Sequence, residues 1–257
     1  MQATPHTRPV SSSLAQPGLP LVVLCCVMVT LAGVIYRVSS IGRMITAPAA
    51  ALRGFVQLAA ISLILAAALE HLWSSLLVLL VMFGAAAFTS IRRSESGRSG
   101  IWLVVPLAVG VGIVVPLCLL TGVVPAQGIS IVPVGGIILG GTMTATSLSA
   151  RRALAALTDR HGEVEAALSL GMTERDARVE VVRPTANDAL LPGLDQTRTV
   201  GLVTLPGAFV GVLLASGSAL QAGAVQILVL AGLLLAQTIA VALTVELVAR
   251  GSVRRGP

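Results

Sequence analysis

The chain has 257 residues, 55% of them hydrophobic and 11% charged, with a formal net charge of +6. A soluble domain carries about 25% charged residues, so this one lacks the polar surface to dissolve. Its aromatic content is only 3%, and the apolar mass is Leu, Val, Ala and Ile, the composition of lipid-facing helices. All seventeen basic residues are arginine. That excludes the phosphate-binding loop GxxxxGK[ST], whose lysine reaches the phosphates. The arginines sit in loops between hydrophobic runs, a pattern that orients membrane proteins rather than one that binds nucleic acid.

Residues 1–19 are polar, with Pro, Ser and Thr, and read as a short disordered leader. The apolar run that follows is long and has no small-residue cleavage site, so it is not a signal peptide. A membrane span needs about 20 apolar residues. Runs 21–38, 72–91, 101–121, 129–148 and 224–248 qualify. Run 52–69 begins with Arg53 and Gln57, and run 200–216 is short and broken by Pro206 and several glycines. Counting both, the expectation is about seven transmembrane helices. Cys25, Cys26 and Cys118 lie inside these runs without metal-ligand spacing and read as small apolar packing residues.

The arginines test that count. Arg37, Arg43 and Arg53 follow the first span, Arg92, Arg93 and Arg98 the third, seven more the fifth, and Arg250, Arg254 and Arg255 the last. The intervening connections have none. Strict alternation places the N-terminus outside and the C-terminus in the cytoplasm. The fold class is therefore an all-α polytopic integral membrane protein, with residues 20–257 as one transmembrane domain and 149–199 as its cytoplasmic, helical connection. That connection holds eight of the eleven acidic residues.

Within it, residues 150–170 are strong helix formers, and Gly171 stands where a glycine after the last turn would end a helix. Thr173 followed by Asp176 approximates a capping box. A second, short helix is expected to about Val182, with Pro184 preventing continuation. Glu165-Ala166-Ala167, three residues, Gly171, nine residues, Val181 and then Arg183-Pro184 resemble the cytoplasmic EAA loop of ABC-transporter permeases. Arg183 stands where that pattern has Leu. The resemblance implies a coupling helix for a separate cytosolic ABC ATPase, with Glu165, Ala166, Gly171, Thr173, Asp176, Arg178 and Pro184 as the coupling residues.

Three flanking segments narrow the match. "IVPVGGIILGGTMTATSLSARRAL" (131–154), "RTVGLVTLPGAFVGVLLASGSALQAGAVQ" (198–226) and "LRGFVQL" (52–58) resemble the FetB-type permeases, the iron-export ABC transporter family. The resemblance implies a non-enzymatic transport subunit, working as a permease homodimer in the plasma membrane bilayer. On that resemblance it would bind no cofactor itself and would use ATP hydrolysed by its partner to export iron or another metal. An organic substrate such as a nucleotide sugar, or a non-catalytic scaffold role, is the alternative. Ile137, Gly141, Ala208 and Phe209 replace Met and Asn of the family segments, which weakens the metal assignment, since thioether and amide groups suit a soft metal in transit.

Gln57, Pro133, Gly136, Gly140, Met143, Pro206 and Gly207 are the pathway or gating candidates. Gly136 and Gly140 form GxxxG, which lets another helix approach, and intramembrane prolines favour bends. Glu70 and His71, at the outer end of the second span, are weak candidates for a metal. Glu246 and Arg250 are spaced to pair at the end of the last span. His6, His71 and His161 are scattered, so the clustered ligands of an intramembrane enzyme are missing and no catalytic residue is expected.

Overall fold

The computed structural model describes residues 18–68, 71–122, 124–125 and 127–256. Most of the leader expected at 1–19, and Glu70, lie outside the described residues. The described chain is helical, in the order α1 (Leu19–Val38), α2 (Thr46–Ala68), α3 (Leu72–Arg93), a 3-10 turn (Gly97–Leu103) running into α4 (Val104–Leu120), α5 (Gly128–Asp159), α6 (His161–Ser169), α7 (Glu174–Thr199), α8 (Gly207–Ser216) and α9 (Ala219–Ala249). Six of these segments are long and apolar enough to cross a membrane: α1, α2, α3, the 3-10 turn with α4, α5 and α9. A spanning segment must satisfy its own backbone polar groups, and a continuous helix does so. The protein is thus all-α and polytopic.

The chain divides into two compact units, one with α1 and α2 and the other with α3 to α9. In the first, the connection after α1 folds back so that the Met44 carbonyl and Pro48 crowd Gly33. Gly33 is the buried residue of α1, whose other side chains are mostly exposed leucine, valine and isoleucine. That surface suits lipid.

In the second unit α5 and α9 run side by side in the same direction. Ile138 shares an apolar cluster with Ala236, Ala145 with Val241, and Leu154 with Val248. α4 runs opposite to both, with Leu103 beside Leu154 and Val248 at one end and Val114 beside Ile138 and Ala236 toward the other. α3 lies along α5, with Leu79 near Gly135 and Met82 near Gly136. The Arg254 amide donates to Ser99 Oγ (2.9 Å), which itself lies 2.9 Å from the Arg254 carbonyl. The tail after α9 is so tied to the turn before α4.

Three expectations need correction. The helix expected over 150–170 is two: α5 reaches Asp159, and α6 restarts after Arg160. Pro184 does not stop the next helix. α7 continues through Pro184 and Pro192 to Thr199, 26 residues in all. An interior proline costs about 3 kcal/mol, but one fully buried valine contributes about 1.5–3 kcal/mol, and Val181 and Val182 are both buried here. Ala177, Ala189 and Gly193 continue the same buried face, so packing against α5 and α9 outweighs the lost backbone bonds. Lastly, the run expected as the sixth span contains only α8, ten residues, or about 15 Å, half of what a crossing needs.

Candidate functional site

The region singled out by its charges folds as an elbow. α6 ends in a Schellman motif: the Gly171 amide donates to the Leu168 carbonyl (2.9 Å) and the Met172 amide to Ala167 (3.1 Å). Gly171 has φ +88, a left-handed conformation that favours glycine. Two residues on, Thr173 caps α7, its Oγ1 accepting from the Asp176 amide (3.2 Å) and donating to the Asp176 carboxylate (2.7 Å). Ala156, Val164, Ala177 and Val181 form the small core inside the bend. With the backbone fixed on both sides of Gly171, Leu170 is thrust outward and is 85% exposed; Leu168 and Met172 beside it are also exposed.

The elbow is fastened to the bundle by ion pairs. Arg175 donates from Nε and Nη2 to the two Glu246 oxygens at 2.8 and 2.6 Å, a bidentate pair between the first turn of α7 and the last turns of α9. Arg250 Nε donates to Glu246 as well (2.6 Å), so the sequence-predicted pair forms but as half of a triad. Arg178 holds Glu174 (2.8 Å) and reaches the Ala249 carbonyl (3.4 Å). On the other arm Arg160 pairs with Glu163 and donates to the Val181 carbonyl (3.2 Å). The Thr173 hydroxyl, then the Arg175 guanidinium, hold the Asp176 carboxyl below its usual range. Arg160 does the same for Glu163.

These features sit where the comparisons with known proteins apply. The model of the "Uncharacterised protein family (UPF0014)" matches residues 20–252. The chain belongs to the UPF0014 family. Among its relatives are the UPF0014 membrane protein slr1647 of Synechocystis sp., 34% identical over 66% of this chain and 68% of that protein, and the UPF0014 membrane protein STAR2 of Oryza sativa subsp. japonica, 32% identical over 73% and 67%. The Escherichia coli protein named "Probable iron export permease protein FetB" is 30% identical over 60% of each chain. The resemblance to FetB-type permeases is thus borne out, and the protein is a multi-pass membrane protein. No solved structure matches.

Within this UPF0014 fold the coupling candidates gather at the elbow. Gly171, Thr173, Asp176 and Arg178 shape its bend and anchor, while Ala166 and Glu165 lie on the exposed side of α6, Glu165 facing His161 (3.5 Å). Pro184 and Arg183 are exposed on α7, two and a half turns away. The pathway candidates do not converge. Met143 packs among Ala86, Leu107 and Leu139; Pro133 and Gly207 are exposed, and Pro206 directly precedes α8. Gln57 is exposed on α2, in the other unit. Gly136 meets Met82, whereas nothing comes within 4 Å of a Cβ at Gly140. His71 is exposed before α3.

The sequence reading missed three features of this site. Leu170 and Met172 flank the recognised glycine, and their exposure was readable only as two large apolar residues in a polar stretch. Arg175 and Glu246 are 71 positions apart, beyond any local spacing rule. The tight helix contact falls at Gly141, one residue past the GxxxG motif, where a Cβ would meet Leu233 and Gln237.

Proposed function

We propose that the chain is the membrane-spanning permease subunit of an ABC transporter, driven by ATP that a separate cytosolic subunit hydrolyses, with two copies forming the transport path. Export of iron or another metal ion is the substrate reading, by similarity to the E. coli relative named as a probable iron export permease. The observation that carries the proposal is the elbow at Gly171. A permease that receives work from another subunit needs a rigid projection on its cytoplasmic side, fastened to its spans. Leu170 is that projection, braced by the Schellman turn, the Thr173 cap and the Arg175–Glu246 pair.

The test is capture of a candidate ABC ATPase by the full-length permease in membranes, followed by ATP hydrolysis with and without metal ions. Leu170→Glu places a charge on the exposed tip without touching the interior, so the chain still folds and inserts. Loss of ATPase capture and of stimulated hydrolysis is expected. Capture and stimulation equal to the unmodified chain would overturn the coupling role of the elbow, and stimulation that ignores added metals would overturn the metal substrate.

A further inference from the structure

The transport reading makes no use of the long polar part of α7, and of the break after it only Pro206 was a pathway candidate. Because α5 and α9 run in the same direction, the chain must return to the opposite end of the bundle between them. α7 and α8 make that return. Val182 packs with Leu154 and Val248, Ala189 with Ala145 and Val241, and Gly193 against Gln237, so α7 climbs antiparallel to both neighbours. Gly141, beside Gln237 at the same level, is ten residues from Arg151, about 15 Å along α5. With Arg151 taken as the cytoplasmic edge of a hydrocarbon layer ~30 Å thick, the last turns of α7 lie near its middle rather than in the cytoplasmic connection expected over 149–199. α8, joined to α9 through the left-handed Gly217, covers the remaining half.

This return crossing is broken and polar. Residues 200–206 leave the helix, with Gly201 at φ +81 and its amide bonded to the Thr204 carbonyl (2.9 Å). The face of α7 turned away from α5 and α9 exposes Glu180, Arg183, Asn187, Leu191, Asp195 and Arg198, a stripe at helical spacing. Asp195 and Arg198 lie 3.6 Å apart as an exposed pair. Lipid tolerates neither feature: an Asp or Arg at the centre of a span costs about 2.5–3.5 kcal/mol, and non-helical backbone at membrane depth occurs where it is buried in protein or lines a water-filled cavity.

We infer that the Asn187–Arg198 stripe of α7 and the 200–206 break form the wall of a water-filled path through the membrane. The inference rests on the permease reading above, whose second copy supplies the facing wall. A wall that alternates an amide, a carboxylate and a guanidinium passes a solute that keeps its hydration shell. Among the described residues no three His, Cys, Asp or Glu gather to strip a metal ion of water.

Single cysteines at Asn187, Leu191 and Asp195, in a chain whose own Cys25, Cys26 and Cys118 are replaced by serine or alanine, test this in membrane fragments with both faces accessible to reagent. The probes are a charged, membrane-impermeant methanethiosulfonate and a lipophilic maleimide. The charged reagent reaches a thiol only through water, where thiols ionise readily, whereas in lipid they ionise scarcely and only the lipophilic maleimide, reacting slowly, can reach them. The three positions are expected to react with the charged reagent within about tenfold of a cysteine at exposed Ser169, and a cysteine at Leu80 on the apolar face of α3 only with the maleimide. Leu191→Cys removes no charge, so it reports even where Asp195→Cys disturbs folding. Reaction of the stripe with the maleimide alone, or with neither reagent, overturns the inference. The assay needs no ATPase, so a labelled stripe in a chain that captures no ATPase would sink the ABC reading and leave the path standing.

Discussion

The Gln237 amide occupies the space that a side chain on Gly193 would need: a Cβ built on Gly193 would overlap Gln237 Oε1, and one on Gly141 would lie 2.9 Å from its Nε2. One amide on α9 thus fills notches in α7 and α5, and only 6% of the residue is exposed. Small residues let helices approach, and Gln237 fills the gap by contact, its Oε1 having no hydrogen-bond partner among the described residues.

Gly193→Ala is therefore expected to destabilise the bundle by about 1–3 kcal/mol, the usual cost of overpacking. Gln237 ends in a flexible amide, but Gly141 fences its other side, so rotation gives little relief. Gln237→Ala in the same chain should recover most of the loss. Thermal unfolding in detergent of the two single variants and the double checks this; strictly additive effects would show that the two residues do not share the space.

Gly171→Ala should weaken the elbow by about 1–2 kcal/mol, the cost of a left-handed conformation for a residue with a Cβ. Gly171→Pro should do more, because φ +88 is closed to proline and the bond to Leu168 is lost. The expected reading is faster hydrogen exchange across α6 and the start of α7, with α5 and α9 unchanged, together with loss of ATPase capture. Capture at the normal level by the proline variant would count against coupling through this turn.

Glu246→Gln removes the anion that Arg175 and Arg250 share. Partly exposed pairs of this kind contribute about 0.2–1 kcal/mol, so global stability should hardly move. What should change is the link between the elbow and α9: higher exchange at residues 174–178, and ATP hydrolysis less responsive to substrate. A double-mutant cycle with Arg175→Gln should show that the two losses overlap rather than add.

Acid should loosen the elbow in a defined direction. Asp176 is held below its ordinary pKa of 3.8 by Thr173 and Arg175, and Glu163 below 4.5 by Arg160. A depressed carboxyl contributes stability that is complete above its unfolded-state pKa and is lost as pH falls through the folded value. Exchange protection at the elbow should be flat from pH 8 to about 5 and decline below about 4. In Asp176→Asn the decline should shrink; an unchanged acid profile would assign the effect to other groups.

Much of this architecture could be read from residue order. Run length and arginine placement indicate the long helices, and Gly171 and Thr173 mark the two sides of the elbow because capping is local chemistry. Pro184 misled because a proline reports only on its own backbone bond, whereas the fate of α7 was decided by Ala177, Val181, Ala189 and Gly193, spaced by four or eight residues, facing α5 and α9. That small-residue period was present in the sequence and pointed to a packed helix. The pairing of Arg175 with Glu246 left no such trace, since it exists only once α7 and α9 lie together. Gly141 was hidden for a similar reason: a GxxxG motif names a small surface but not which helix will use it.

The continuity of α7 has a mechanical meaning. From the Thr173 cap to Val200 there is one rod of 26 residues, about 39 Å long, with the elbow at one end and the irregular 200–206 segment at the other. On the proposed coupling role, a force at the tip would be carried along this helix rather than lost in a loop, softened at Pro184 and Pro192, where a rung of the ladder is missing. The two prolines that failed to end the helix would then be its compliant points, and replacing them with alanine is expected to stiffen the linkage without altering where it pulls.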